Sequence, residues 1–187
     1  MSALEKFSLK GKVAVVTGGN GILGNEFCRG LIESGATLAI IDLSSNSNLE
    51  VNETNNPLCE YFQCDIANKE SIEKCIADII DRFSKIDILI NNAATKTKDV
   101  ASFFAPFESY SLDIWKEVMS VNIDGMFLVA QCVGREMLKS GGGSIIQISS
   151  IYGMVGPDKR IYEGSDYLGE EINTPAVYAA SKAAVIG

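Results

Sequence analysis

Short apolar runs rich in β-branched residues alternate along this chain with longer stretches whose apolar residues recur every three or four positions. Val13-Ala-Val-Val-Thr17 is the first run and predicts a strand buried on both faces. It passes directly into Gly18-Gly19-Asn20-Gly21-Ile22-Leu23-Gly24, after which Asn25 to Ser34 has helical spacing. Further strands are predicted at Thr37 to Ile41, ending at Asp42, and at Cys59 to Cys64, ending at Asp65-Ile66. A fourth covers Asp87 to Ile90, followed by Asn91-Asn92-Ala93-Ala94, and a fifth Ser144 to Ser149, ending at Ser149-Ser150. Ile72, Ile76, Ile79, Ile80 and Phe83 put Lys69 to Phe83 in a helix. Ser111 to Leu138 reads as one long helix opened by Ser111, with Gly141 to Gly143 as its break. Ser44 to Pro57, with five asparagines and three serines, is a polar loop.

Strand alternating with helix indicates an α/β fold with a doubly wound parallel sheet, in which ligands bind at the carboxyl ends of the strands. Gly18 to Gly24, Asp42, Asp65, Asn91 and Ser150 all fall at or just after such ends, which argues for one shared site. Strand, glycine turn and helix are the context of a dinucleotide fingerprint. Glycines let the backbone approach a pyrophosphate, and the helix N-terminus offers free amides and a partial positive charge. The bland alternative is a flexible strand-to-helix loop. Asp42, 24 residues after Gly18, can accept from both ribose hydroxyls and repels a 2′-phosphate, with no Arg or Lys beside it; this favours NAD over NADP. Its other reading is a strand-end carboxylate facing water. Asp65 and Ile66 are placed to flank an adenine. Asn91 to Ala94 would let a cofactor lie close to the backbone, although a structural role reads equally well. Asn122, in Val121-Asn-Ile-Asp124, is a buried amide that packs helices or holds a water near an active site.

Tyr178-Ala-Ala-Ser-Lys182 puts a lysine four residues after a tyrosine, so on a helix phenol and ammonium share a face. A phenol with an ordinary pKa near ~10 exchanges protons poorly at neutral pH, and a fixed cation nearby favours phenolate. Tyr152, Tyr162 and Tyr167 have Gly156, Asp166 and Glu171 at the fourth position, so among these four tyrosines only Tyr178 has a cation there. Taken alone, the pair is weak evidence and reads more readily as an ordinary amphipathic helix start.

Composition narrows the chemistry. The 187 residues read as one domain, and 47% apolar with 21% charged is ordinary for a soluble globular protein. A formal charge of −8 argues against nucleic acid or an anionic membrane as partner. Cys28, Cys59, Cys64, Cys75 and Cys132 form no CxxC pair and read as reduced buried thiols of a cytoplasmic protein. There is no histidine, which excludes Ser-His-Asp and Cys-His catalysis and removes the commonest zinc ligand; no metal site is expected. Met1 to Lys12 lacks the apolar core of a signal peptide, and no uncharged apolar run is long enough to span a bilayer.

With Thr17-Gly18 and Gly24, Asp65, Asn91-Asn92-Ala93, Asn122, Ser150, and Tyr178 with Lys182, nearly the whole chain resembles the short-chain dehydrogenase/reductase family. The resemblance implies a Rossmann-type fold, an NAD cofactor (NADP less favoured) held by residues from Gly18, Asn20, Gly21, Ile22, Leu23 and Gly24 onward, and a homodimer or homotetramer. It implies that Tyr178 is the acid/base, that Lys182 lowers its pKa and holds the nicotinamide ribose, that Ser150 hydrogen-bonds the substrate oxygen, and that Asn122 anchors a water in the proton relay. Three departures stand out. Ile22 occupies the place of the middle glycine of TGxxxGxG, with Gly21 just before it, so the turn is expected to re-form around Gly21. Ala94 replaces a frequent glycine. Ser150 and Tyr178 are 28 residues apart, about twice the usual gap.

The extra segment, Tyr152 to Pro175, borders the substrate as a lid or is an inserted surface loop without contact. Its Ile161-Tyr-Glu-Gly164 and Pro175-Ala-Val-Tyr178 look like the flagellin-modification and nonulosonate-sugar oxidoreductases, which implies a polar, sugar-like substrate. Family members continue beyond Tyr178 with a longer helix, two strands and another helix, so Gly187 falls mid-pattern and the resemblance implies an incomplete chain. The expected activity is hydride transfer between NAD(H) and a hydroxyl or carbonyl of a small polar substrate. The alternatives are a 3-oxoacyl-type reductase and a dinucleotide-binding sensor without turnover.

Overall fold

In a computed structural model, which describes residues 4–44 and 59–187, the run Val13–Thr17 forms β1 and all five of its residues are buried. Each of its valines contributes on the order of 1.5–3 kcal/mol by burial. The rest of the expected polar loop after Ser44 lies outside the described residues. In chain order follow α1 (Ile22–Glu33), β2 (Thr37–Asp42), β3 (Cys59–Gln63), α2 (Lys69–Phe83) and β4 (Ile88–Asn91). Then come a short α3 (Val100–Phe103), α4 (Leu112–Met119), α5 (Met126–Lys139), β5 (Ser144–Gln147), a two-residue pair β6 (Asp166–Tyr167) and β7 (Glu170–Glu171), and α6 (Ala176–Ala184).

The chain divides into two compact units, one of Met1–Ala93 with Gly125–Gln147, the other of Ala94–Asp124 with Ile148–Gly187. The first holds a five-stranded sheet in the order β3-β2-β1-β4-β5, every neighbouring pair parallel. Val15 sits opposite both Ala39 and Leu89, so β1 is the central strand and the order reverses between β1 and β4. Such a switch point leaves a crevice at the strands' carboxyl ends. Gly18, Asp42, Asp65 and Asn91 fall at or just beyond those ends of β1, β2, β3 and β4.

Helix α2 shows why these segments fold locally. Asn68 caps it by accepting the Ser71 N–H at 2.9 Å, and Ile72, Cys75, Ile76 and Ile79 form its buried stripe. It ends on Ser84 in the left-handed region, φ 68. Helix α1 begins earlier than the spacing predicts, because Gly21 serves as its N-cap.

The single helix expected over Ser111 to Leu138 needs correction. Ser111 does cap it, accepting the Asp113 N–H, but α4 ends at Met119 and a π-helical turn, Ser120–Gly125, precedes α5. This wider turn contains the fully buried Asn122, whose partners, Thr95 and Ser181, lie outside the helix. Insertions of this kind are frequent at functional sites.

The second unit packs α4 and α6 around Phe103, Val118 and Val177, with Tyr110, Trp115 and Tyr178 against them. Its Tyr152–Pro175 stretch contains the antiparallel β6–β7 hairpin, which the sequence pattern does not announce. Leu168 and Gly169 at its tip have φ 55 and 83, as a type I′ turn requires. The five cysteines are free; all but the half-buried Cys59 are buried. No helix among the described residues is long and apolar enough to cross a membrane.

Candidate active site

In the first unit the end of β1 is locked to the end of β4. The Thr17 hydroxyl donates to Asn91 Oδ1 at 3.1 Å and accepts the backbone N–H of Asn92 and of Ala93, each at 3.0 Å. That uses its full hydrogen-bonding capacity. Asn91 Nδ2 donates to Met126 O at 2.7 Å, and Asn92 Nδ2 to Thr17 O at 3.1 Å. The structural role of Asn91 to Ala93 is therefore visible, and Thr17, named from the sequence only as a strand end and part of a motif, is its hub. The only signal was a hydroxyl residue closing an apolar strand.

The glycine turn is drawn tight. Gly18 has φ +67, and a Cβ there would stand 2.8 Å from Ala93 Cα; a Cβ on Gly24 would stand 2.0 Å from Gly18 O. The turn does re-form around Gly21, whose N–H donates to Gly18 O at 3.1 Å. No side chain caps α1, and Ile22 and Leu23 at its start are 90% and 58% exposed. The turn thus presents backbone and first-turn amides, which suit an anion. Asp42 reaches back to it: Oδ2 accepts the Asn20 N–H at 3.0 Å, and Oδ1 accepts the Ser44 N–H and hydroxyl at 3.2 Å each. Asn20 Nδ2 donates to Ser44 Oγ at 2.6 Å and to Tyr61 OH at 3.3 Å. At the end of β3, Asp65 is exposed and accepts the Ala67 N–H at 2.9 Å, while Ile66 is buried.

The second unit holds Asn122, Ser150, Tyr178 and Lys182. Pro175 precedes α6, so Tyr178 and Lys182 lie one turn apart on it. Lys182 is 3% exposed; its Nζ donates to Ile148 O at 2.8 Å and lies 6.0 Å from the centre of the Tyr178 ring. Burial lowers the Lys182 pKa below the ordinary lysine value. Among the described residues no carboxylate pairs with it, and burying a cation in this way is costly. Groups held at such cost concentrate at functional sites. Two of its three N–H donors remain for a further partner.

Asn122 is fixed at both ends of its amide. Oδ1 accepts the Thr95 N–H at 2.9 Å, and Nδ2 donates to Ser181 Oγ at 3.2 Å, whose hydroxyl donates on to Tyr178 O at 2.9 Å. The π turn is thereby tied to the backbone of the tyrosine itself. Ser150 Oγ accepts the Tyr152 N–H at 3.2 Å, and it is Ser149, not Ser150, that anchors α6, donating to Lys182 O at 2.7 Å. Gly153 completes that contact, since a Cβ there would stand 2.5 Å from Lys182 O. Ser149, Gly153 and Ser181 were not singled out from the sequence. Tyr178 lines a cavity of about 360 Å³, with Lys96, Phe103, Asn173 and Thr174 among its walls. Thr174 Oγ1 lies 2.6 Å from Tyr162 OH, which donates to Tyr152 OH at 2.7 Å.

The chain is 32% identical over 182 residues to an NAD-dependent glycerol dehydrogenase of Listeria innocua, covering 97% of this chain and 63% of that one. It is 34% identical over 188 residues to a 2-dehydro-3-deoxy-D-gluconate 5-dehydrogenase of Pseudoalteromonas atlantica, covering 97% and 65%. Its fold is similar, with TM-score 0.80 and 31% identity, to a gluconate 5-dehydrogenase from Burkholderia cenocepacia in complex with NADP and tartrate, covering 98% of this chain and 65% of that one. The chain thus spans just under two thirds of the length of these relatives. The family model for short chain dehydrogenases matches residues 12–187, and the chain belongs to that family.

Proposed function

We propose that the protein carrying this chain transfers a hydride between NAD(H) and a hydroxyl or carbonyl of a small, polar, sugar-derived substrate, with Tyr178 as acid/base. The observation that carries the proposal is Lys182: a buried ammonium one helical turn from Tyr178, with donors to spare, beside a tyrosine that lines a cavity. The residues present fit a dinucleotide. Gly18 and Gly24 leave no room for a Cβ, and the uncapped α1 offers amides to a pyrophosphate. Asp42 stands at the end of β2 to accept from the adenosine ribose, which favours NAD. The nicotinamide, when bound, supplies or accepts the hydride.

In the oxidative direction Tyr178 takes the proton of the substrate hydroxyl as the C–H hydride departs; in reduction it returns that proton to the oxygen. Ser150 donates to the substrate oxygen, Lys182 holds ribose hydroxyls beside Tyr178, and Asn122 anchors the water that relays the proton. The relatives act, by name, on glycerol and on sugar acids, which supports a polyhydroxylated substrate. The 152–175 segment, through its likeness to flagellin-modification and nonulosonate-sugar oxidoreductases, supports the same class. The proposal includes a cytoplasmic homodimer or homotetramer.

The test is the NADH absorbance change when the full-length gene product meets a panel of polyols, sugars and sugar acids. Turnover with NAD(H) and one of them is expected. NADH binding without turnover across the panel would replace the enzyme by a dinucleotide sensor.

A further inference from the structure

The cavity that Tyr178 lines has walls of mostly apolar character, formed by Ala94, Phe103 and Pro175, and one cation, Lys96. No acidic residue lines it, in a chain with 24 acidic residues against 16 basic ones. At about 360 Å³ it is within the size of small-molecule sites. Lys96 is not left to wave in solvent. Its Nζ donates to Tyr167 OH at 2.6 Å and stands 3.8 Å from the centre of the Tyr167 ring. Tyr167 comes from the β6–β7 hairpin, whose register (Tyr167 opposite Glu170) is set by the tight Leu168-Gly169 turn. Among the described residues no carboxylate neutralises this ammonium, and two of its donors remain open. Asn173 lines the same cavity; its Nδ2 donates to Phe104 O at 2.7 Å, which leaves its Oδ1 to accept from a ligand hydroxyl.

The geometry points to Lys96 as the residue that determines specificity at this cavity, selecting a small polyhydroxylated substrate that carries a carboxylate over the neutral polyol of the same length. Tyr167 is the positioning residue that holds the ammonium, which gives the 152–175 segment its purpose. The inference rests on Tyr178 being the acid/base. A single cation matches one carboxylate; a phosphate ester would bring about two charges at neutral pH and find one partner. Charge-assisted hydrogen bonds favour the acid over the polyol because the alcohol offers no charge for Lys96 to meet.

The experiment compares kcat/KM for matched pairs (gluconate and sorbitol, glycerate and glycerol, threonate and threitol) and for glycerol phosphate, using the full-length protein. The acid of at least one pair is expected to be preferred. Lys96→Met should cut that acid-to-polyol ratio by about 10- to 100-fold, chiefly through KM, with Lys96→Arg retaining most of it and Tyr167→Phe giving a smaller loss. A ratio unchanged in Lys96→Met, a preference for the neutral partners or for glycerol phosphate, or no turnover of any carboxylate would each overturn the proposal. Tyr178→Phe, run beside them, separates the two readings: if it keeps wild-type turnover, the acid/base assignment fails, whatever Lys96 does.

Discussion

At the scale of single residues, two side chains carry the proposed chemistry, and the first is held at a cost. Lys182 is a desolvated cation, so its charge opposes folding below its lowered pKa, and that cost fades as pH rises toward the ordinary lysine range. Lys182→Met removes the desolvated charge, so loss of fold is not the expected cause of any loss of activity. We expect the variant to melt as a folded protein while its oxidative activity appears only at higher pH, or is abolished. An unchanged pH–rate profile would mean that Lys182 does not tune proton exchange. Asp42 is the second. Asp42→Ala combined with an arginine at the neighbouring Leu43 should move preference from NADH toward NADPH, read as the ratio of kcat/KM values. Equal preference before and after would remove Asp42 from the ribose site. The proposed site residues Tyr178, Lys182, Asn122 and Asp42 could be named from the sequence because each carries its signal in its own neighbourhood. The partners of Thr17, Ser149 and Ser181 could not be read there, because they lie 74, 33 and 59 residues away and a serine or threonine announces no partner by type.

At the scale of elements, segments whose folding is decided locally were read to the residue. Val13–Thr17 and Lys69–Phe83 are such cases, one a continuous apolar run, the other an amphipathic stripe with an Asn68 cap. The π turn at Ser120–Gly125 was missed because the partners that hold Asn122 in it, Thr95 and Ser181, are distant in the sequence. The β6–β7 hairpin was missed because two-residue strands carry no period at all. Helix α2 offers a clean test of the local physics. Ser84 holds a left-handed conformation, φ 68, at an exposed C-terminus where glycine is preferred. Ser84→Gly should raise stability by about 0.5–1 kcal/mol in denaturant unfolding. A loss of stability would mean that the serine side chain makes a contribution the backbone argument omits.

At the scale of the whole molecule, the two compact units differ in what holds them. The first is built on β1, β2 and β4, whose residues are largely buried between paired neighbours. In the second, the stretch from Met154 to Glu171 is mostly exposed and ends in a two-residue hairpin. Amide hydrogen exchange should therefore be slowest in β1 and β2 and fast across 154–171. Protection of the hairpin equal to that of β1 would contradict this reading of where the stability lies. The parallel, doubly wound sheet was legible from the alternation of strand and helix; the strand order was not predicted, and neither was the division of the chain into two units, since no linker composition marks it at Ala93 or Gly125.

The most direct test of the central claim is the rate of NADH absorbance change for wild type and Tyr178→Phe, measured side by side on the best substrate found. The phenyl ring keeps the contacts with Phe103, Val118 and Val177 and removes only the hydroxyl. With Tyr178 as acid/base, turnover should fall by about 10²- to 10⁴-fold in the variant. Equal turnover in the two proteins would show that the proton passes through another group and that Tyr178 is not the catalytic residue.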